Sequence, residues 1–152
     1  ITCGVNDMMK NRGSHQKELK TMRLNPDCVR DILLVVENET TATHRTAYPS
    51  KEFDTLEEKY NPDVVLYHVI QCMEYGYFRD AEHLGHMGIL IPDLSPVGHE
   101  FLANIRKDNV WNGVKGVAEK VGTTSLSALT QIAGNVITEI IKAQFGLGSA
   151  PI

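Results

Sequence analysis

Four side chains able to bind zinc lie close together near the middle of the chain. Cys72 stands one helical turn after His68, and His86 follows His83 by three residues. Tetrahedral zinc takes four nitrogen or sulfur ligands, so two such pairs make a zinc site one hypothesis. The spacing matches no standard zinc finger, and Cys72 falls on an apolar helical stripe. We therefore predict no metal site, with His68 hydrogen-bonded near the core and the other two histidines in a turn.

No recognisable enzyme motif is present. His99 and Glu100 are adjacent, but no second histidine follows at the spacing of a metalloprotease helix. Nucleophile motifs and phosphate-binding glycine loops are also missing from the sequence. We expect a non-enzymatic protein without a cofactor, although a fold can assemble an acid–base pair from distant residues.

The distribution of charge bears on nucleic-acid binding. The whole chain has a net charge of −4, which disfavours tight nonspecific binding to polyanions. Residues 61–106 hold Arg79 and Arg106 against a larger set of carboxylates, and residues 61–75 contain no Lys or Arg. These carboxylates are Asp63, Glu74, Asp80, Glu82, Asp93 and Glu100.

Residues 61–106 also have the clearest succession of structural signals. Asn61, Pro62 and Asp63 are typical of a helix start, because Asn caps free N–H groups and Pro fits the first helical position. An apolar stripe at helical spacing then runs to Gly76. Short strand-like runs near residues 77–81 and 89–91 flank a turn rich in Gly and His, and a second helix begins at residues 95–96.

The preceding segments extend this pattern. A helix start at Asn25 predicts a helix to about residue 37, a short strand fits within residues 39–48, and Phe53 and Leu56 indicate a short helix. Helix, strand, short helix, long helix and hairpin follow in the order of a winged helix-turn-helix. The predicted fold class is α+β, mostly α, with a small hairpin wing.

Two further helices are predicted at the C-terminal end. One begins at Val110 and is weakened by Gly113 and Gly116. The other, at residues 125–145, has the cleanest amphipathic pattern in the chain. Its apolar face packs either on the rest of the chain, which we favour, or on a second copy. The candidate oligomerisation residues are Leu129, Val136, Ile137 and Ile140.

The predicted organisation has three parts: an N-terminal arm at residues 1–21, a winged-helix domain at 22–106 and a helical extension at 107–148. The arm is weakly basic and aperiodic, so a solvated tail is favoured over a DNA-phosphate contact, and Met22 is a plausible start. The sequence contains no long apolar run and no secretory signal, so we expect a cytoplasmic protein that does not bind membranes and has no structural disulfides.

Several segments resemble a family of small proteins of unknown function encoded by bacterial phages and prophages. The resemblance covers residues 22–146 and implies a winged helix with a helical tail, but no catalytic or binding residues. Its most specific part is GHEFL at residues 98–102 followed by residues 106–111. The matching segments are residues 22–34, 67–68, 74–76, 94–102 and 105–111.

Two binding functions compete for this fold. For DNA, Tyr67 and Gln71 could read bases while Lys51, Lys59 and Arg79 hold phosphates. The acidic character of the segment instead favours a regulatory module that binds a protein, with three tyrosines as exposed anchors, the alternative being that some of them are half-buried in the core. These are Tyr67, Tyr75 and Tyr77. We predict protein contacts with a host or phage protein, and a DNA-binding transcriptional regulator is the alternative.

Overall fold

The structure is a computed structural model that describes residues 22–146. Three helices precede the second strand: α1 (Pro26–Glu39), α2 (Asp54–Tyr60) and α3 (Pro62–Tyr75), and the first strand lies between α1 and α2. Three helices follow the last strand: α4 (Pro96–Ile105), α5 (Asp108–Val121) and α6 (Leu126–Phe145). The strands are β1 (Thr46–Tyr48), β2 (Phe78–Arg79), β3 (Glu82–His83), β4 (Ile89–Ile91) and β5 (Asp93–Leu94). The α+β, mostly α prediction is confirmed. The predicted arm lies outside the described residues.

The helix starts are built as their sequences predict. The Asn25 side chain accepts a hydrogen bond from the Asp27 N–H, and the Asn61 side chain accepts one from the Asp63 N–H, each at 3.0 Å. Ser95 caps α4 by accepting from the Gly98 N–H at 3.1 Å. These caps satisfy N–H groups that have no partner within the helix.

The strands form two small antiparallel sheets. In the larger one, β4 lies between β1 and β3, with Thr46 opposite Ile91 and Glu82 opposite Leu90. A short 3₁₀ turn (Gly85–Met87) connects β3 to β4, and this hairpin is called the wing below. The run at Phe78 is not part of the wing, because β2 pairs separately with β5.

The core lies between α1, α3 and α4, and the C-terminal helices enlarge it. Leu129 and Ala133 of α6 are fully buried against α4 and α5. Trp111 of α5 is 2% exposed, and its ring N–H donates to Asp27 of α1 at 2.8 Å. The first half of α6 therefore belongs to the core of the single chain. No helix among residues 22–146 is both long and apolar enough to cross a membrane.

Tyr77 corrects one expectation from the sequence. It is fully buried and stacks on Phe101 with ring centroids 5.2 Å apart, so it is not one of the exposed aromatic anchors. Its hydroxyl and Thr130 of α6 share a hydrogen bond of 2.6 Å. In the sequence, Tyr77 begins a short run that resembles a half-exposed strand. In the structure, the end of α3 directs the Tyr77 side chain into the core instead. Tyr75 keeps 38% of its surface exposed.

The start of α4 approaches the backbone at the end of α3 very closely. The Ser95 N–H donates to the Tyr77 carbonyl oxygen at 2.7 Å, and a Cβ atom placed on Gly98 would collide with the same oxygen. Only glycine leaves room for that carbonyl. Gly113, on the exposed side of α5, has no neighbouring atom near such a Cβ.

We predict opposite effects for Gly98→Ala and Gly113→Ala on the free energy of unfolding. Gly98→Ala pushes α4 away from Tyr77 and lowers it by about 3 kcal/mol. Gly113→Ala removes backbone freedom from the unfolded chain without a clash and raises it by about 0.5–1 kcal/mol. Urea titration followed by circular dichroism measures both. Equal stability of the two variants would contradict the close approach seen here.

Candidate functional site

Tyr67 and Gln71 lie together in a groove of about 570 Å³. One wall is α3, and the other is the turn between α5 and α6 at residues 124–127. Both side chains are half-buried, and Tyr75 stands at the rim. We call this arrangement the α3 groove, and its second wall limits access to this face of α3.

The α3 groove contains no Lys or Arg among the described residues that line it. Its charged side chain is Glu74. The lining residues are Leu24, Tyr67, Gln71, Glu74, Tyr75, Thr124, Ser125, Leu126 and Ser127. A phosphate at this place would meet a carboxylate rather than a cation.

The three cations of the predicted DNA surface are not brought to this groove. Lys59 pairs with Asp31 of α1 at 3.0 Å, and Arg79 pairs with Asp93 of β5 at 3.0 Å. Lys51 is exposed in a separate 3₁₀ turn (Lys51–Phe53). None of these three residues lines the α3 groove, so the structure does not gather them around Tyr67 and Gln71 into one positive face.

The wing carries exposed apolar side chains that the sequence prediction did not single out. Met87 is 74% exposed and Leu84 is 41% exposed. Gly88 packs its backbone against Tyr48, and the Tyr48 hydroxyl donates to the Pro62 carbonyl at 3.2 Å. Tyr48 therefore connects the wing tip to the first turn of α3. In the sequence, Leu84 and Met87 are large apolar residues within an otherwise polar turn. This composition was the one signal that could have indicated an exposed apolar patch.

The same pattern continues on α3. Leu66 is 39% exposed, and Ile70 and Met73, at helical spacing after it, are half-buried. Asp63 and Glu74 flank this row on the solvent side. The outer face of α3 and the wing thus combine apolar side chains with carboxylates. We call this surface, made of Leu66, Leu84 and Met87, the α3–wing surface.

His68 has a structural place in the core. Its Nε2 atom accepts a hydrogen bond from the Asn25 N–H at 2.7 Å, and its Nδ1 atom donates to the Val64 carbonyl at 2.7 Å. Both ring nitrogens are occupied, which leaves none for a metal. Cys72 is also fully buried, and burial raises the pKa of its thiol. Within residues 22–146 no group of three or more His, Cys, Asp or Glu is arranged to hold a metal ion.

The candidate oligomerisation residues separate into two groups. Leu129 is fully buried in the core, while Val136, Ile137 and Ile140 are half-buried. Val136 and Ile140 line a second groove of about 410 Å³ on the side of α6. Ile137 lies outside that groove.

Comparison with known proteins gives a family for this fold. A family of hypothetical proteins, DUF2513, matches residues 23–125, which is more than half of the chain. The chain belongs to the DUF2513 family. The predicted resemblance to a family of unknown function is thus confirmed. The match includes α1 to α5 and the wing and ends just before α6.

A relative supports this membership. An uncharacterized protein of Haemophilus influenzae (strain Rd) is 30% identical over 123 residues, which are 79% of this chain and 99% of the relative. No solved structure matches the chain. The α3 groove residues Tyr67 and Gln71, the wing and His68 all lie within the part that matches the family.

We predict that His68 makes the protein less stable in mild acid. Burial lowers the pKa of His68 below its ordinary 6.5, so the folded state binds its proton less readily than the unfolded chain. The stabilisation is complete above pH 6.5 and is lost as the pH falls from there through the lowered pKa. The free energy of unfolding should therefore decrease between pH 7.5 and about pH 5.

The matched variants are His68→Leu and His86→Leu, since His86 is exposed on the wing. His68→Leu leaves the Asn25 N–H without its partner, which costs about 1–3 kcal/mol at pH 7.5, and it removes most of the decrease between pH 7.5 and 5. His86→Leu should keep that decrease. Urea titrations at a series of pH values provide the measurement. An unchanged pH dependence in His68→Leu would refute this role.

Proposed function

We propose that the chain is a winged-helix regulatory module, without enzymatic activity, that acts by contacting another protein through its α3–wing surface. The element order α1, β1, α2, α3 and wing supports the winged-helix assignment. So does the pairing of β1 with β4, the second strand of the wing, because it closes the small sheet beside the helices. The C-terminal helices then form an extension of that domain.

The observation that carries the proposal is the charge of the α3–wing surface. Neither α3 nor the wing contains Lys or Arg, and Asp63, Glu74 and Glu82 are all exposed there. Nucleic-acid binding draws most of its affinity from cations placed on phosphates. A surface with carboxylates in those positions repels the duplex that the fold would otherwise bind.

The apolar residues of the same surface favour a protein partner. Leu66, Leu84 and Met87 expose large apolar side chains. Protein interfaces bury such side chains at their centre and place polar residues around them. Methionine adapts its shape readily, which suits a contact surface. The exposed carboxylates beside this patch favour a partner with a basic rim.

The resemblance to phage and prophage proteins suggests where the partner is found. We propose a host or phage protein, met in the cytoplasm. The observation that favours the alternative, a DNA-binding transcriptional regulator, is the winged-helix order of elements itself, since many winged helices read DNA. The two functions differ in how binding responds to salt.

We predict no tight DNA binding by the full chain. Fluorescence anisotropy with a mixed-sequence duplex should give no saturable binding in roughly 50–200 mM salt, because too few cations face the phosphates. The triple variant Lys51→Ala, Lys59→Ala and Arg79→Ala should behave like the wild type. Tight binding with a steep salt dependence that disappears in the triple variant would establish the DNA-binding alternative instead.

A photo-crosslinking amino acid tests the protein contact directly. Placed at position 66 or 87 in the full chain, in cells of the source organism, it should yield one discrete protein adduct. Val97 is 44% exposed against 39% for Leu66 and lies on a different helix, α4, so position 97 is the matched control. Adduct formation at 66 and 87 should fall at least tenfold when Leu84→Glu is added. Equal labelling at position 97, or no adduct at either test position, would refute the proposal.

A further inference from the structure

The α3 groove combines two tyrosine rings with an amide and a carboxylate. Tyr67, Gln71, Glu74 and Tyr75 follow one another at spacings of four, three and one residues, so they share one face of α3. All four line the groove, whose volume is about 570 Å³. Leu66, the α3 residue of the α3–wing surface, lies about 100° around the helix from Tyr67. The groove is therefore a separate contact surface on the same helix.

Buried aromatic neighbours hold the two tyrosine rings of the groove in place. The Tyr67 ring meets the His68 ring edge-on with centroids 5.0 Å apart, and the Tyr75 ring meets the Tyr77 ring in the same way at 4.8 Å. His68 and Tyr77 are both fully buried and both hydrogen-bonded. The rings of Tyr67 and Tyr75 therefore lose little freedom when a ligand packs against them, and such preorganisation favours binding.

The polar groups of the α3 groove are suited to a cation. Glu74 is its charged lining residue, and the exposed Arg23 does not line it. Gln71, Thr124 and Ser127 add oxygen atoms that can accept hydrogen bonds. Glu74 is exposed and Gln71 is half-buried, so a ligand can reach both. A ligand with a phosphate or carboxylate group would instead be repelled by Glu74.

Among biological cations, arginine fits these groups best. Its guanidinium group is planar and stacks on aromatic rings, and its N–H groups can reach a carboxylate and further acceptors at the same time. Its apolar stem can pack on Leu24 and Leu126, which supply the aliphatic lining of the groove. A lysine ammonium group is a strongly hydrated point charge and lacks the planar fork of arginine.

The length of the α3 groove indicates an extended segment of chain. Tyr67 and Tyr75 are eight residues apart on α3, which corresponds to a rise of about 12 Å. An extended chain spans that distance in about four residues. The opposite wall presents Thr124 and Ser127, whose hydroxyl groups can hydrogen-bond the backbone of such a segment.

We propose that the α3 groove binds a short extended segment of the partner protein, with one arginine side chain beside Glu74 and against a tyrosine ring. This inference rests on the proposed function, because it assumes a protein partner. It adds the chemistry that the partner supplies. The α3–wing surface takes apolar side chains of the partner, and the groove takes its arginine.

Two-dimensional NMR on the isotope-labelled full chain tests the groove without the natural partner. The probe is the capped peptide acetyl-Gly-Ala-Arg-Ala-Gly-amide, titrated in roughly 50 mM salt, where exposed charges are only partly screened. It should cause saturable shifts of the Gln71 side-chain amide and of the backbone amides of Glu74 and Ser127. A peptide with citrulline in place of arginine keeps the shape without the charge and should bind at least roughly tenfold more weakly. A lysine peptide should also bind more weakly than the arginine peptide.

Matched variants locate the contact. Glu74→Gln keeps the size of the side chain and removes its charge, so it should weaken binding of the arginine peptide at least roughly tenfold. Tyr67→Leu removes an aromatic face and should weaken binding roughly threefold. The control is Glu58→Gln, since Glu58 is also exposed on a helix but does not line the groove. It should bind the peptide like the wild type, and all three variants should keep the dispersed spectrum of the folded chain.

Four results would each rule out the arginine site. These are no shifts at the groove, equal binding of the citrulline peptide, equal binding of the lysine peptide, and binding that Glu74→Gln leaves unchanged. The outcome is independent of photo-crosslinking at positions 66 and 87. If crosslinking succeeds and the peptide does not bind, the arginine site alone is wrong. If the peptide binds and crosslinking fails, the contact through the α3–wing surface is wrong and the arginine site is retained.

Discussion

The contact between the end of α3 and the start of α4 determines the positions of most other elements. Gly76 ends α3 in the left-handed region, at φ +97°, and directs Tyr77 into the core. The Tyr77 carbonyl then accepts from Ser95 and packs on Gly98, while its ring stacks on Phe101. Its hydroxyl reaches Thr130 of α6 at 2.6 Å. A single residue therefore joins α3, α4 and α6, and the turn before α6 comes to lie beside Tyr67 and Gln71 as a result.

This junction gives the molecule two surfaces with different chemistry. The α3–wing surface is apolar and acidic, so it is suited to a partner with basic groups and unsuited to its own copy or to DNA. The groove on the side of α6 is lined mainly by apolar residues, and its charged lining residue is Glu139.

Local signals in the sequence were sufficient for the helices and for their order. Asn25 and Asn61 each precede Pro and Asp, and those residues act within three positions of one another, so the capping bonds could be predicted. The place of His68 near the core was predicted for a similar reason, since it lies on the same helix as the apolar stripe. Tyr77 was predicted wrongly because its burial depends on α4 and α6, which are distant in sequence.

The candidate site was also predictable only where it depends on residues close together in the sequence. The pairing of Lys59 with Asp31, 28 residues away, and of Arg79 with Asp93, 14 residues away, depends on tertiary packing that no local pattern encodes. The groove on the side of α6 likewise exists only because Val117 of α5 lies beside residues of α6 that follow it by 15 or more positions. The exposed Leu84 and Met87 were visible in the sequence, but a short polar turn gave no reason to weigh them until the wing was seen beside α3.

The ion pairs alone do not decide between protein and DNA. An exposed pair such as Lys59 with Asp31 contributes up to about 1 kcal/mol, so a phosphate could compete for the lysine. The position of the cations is the stronger constraint. A duplex that reached Tyr67 and Gln71 would still have to place phosphates near Glu74, which lines the same groove. A phosphate placed near a carboxylate loses about as much binding free energy as a phosphate placed near a lysine or arginine gains. Both interactions act over the same short distance in salt solution. A protein partner with basic residues at the edge of its interface would gain binding free energy at the same carboxylates that repel DNA phosphates.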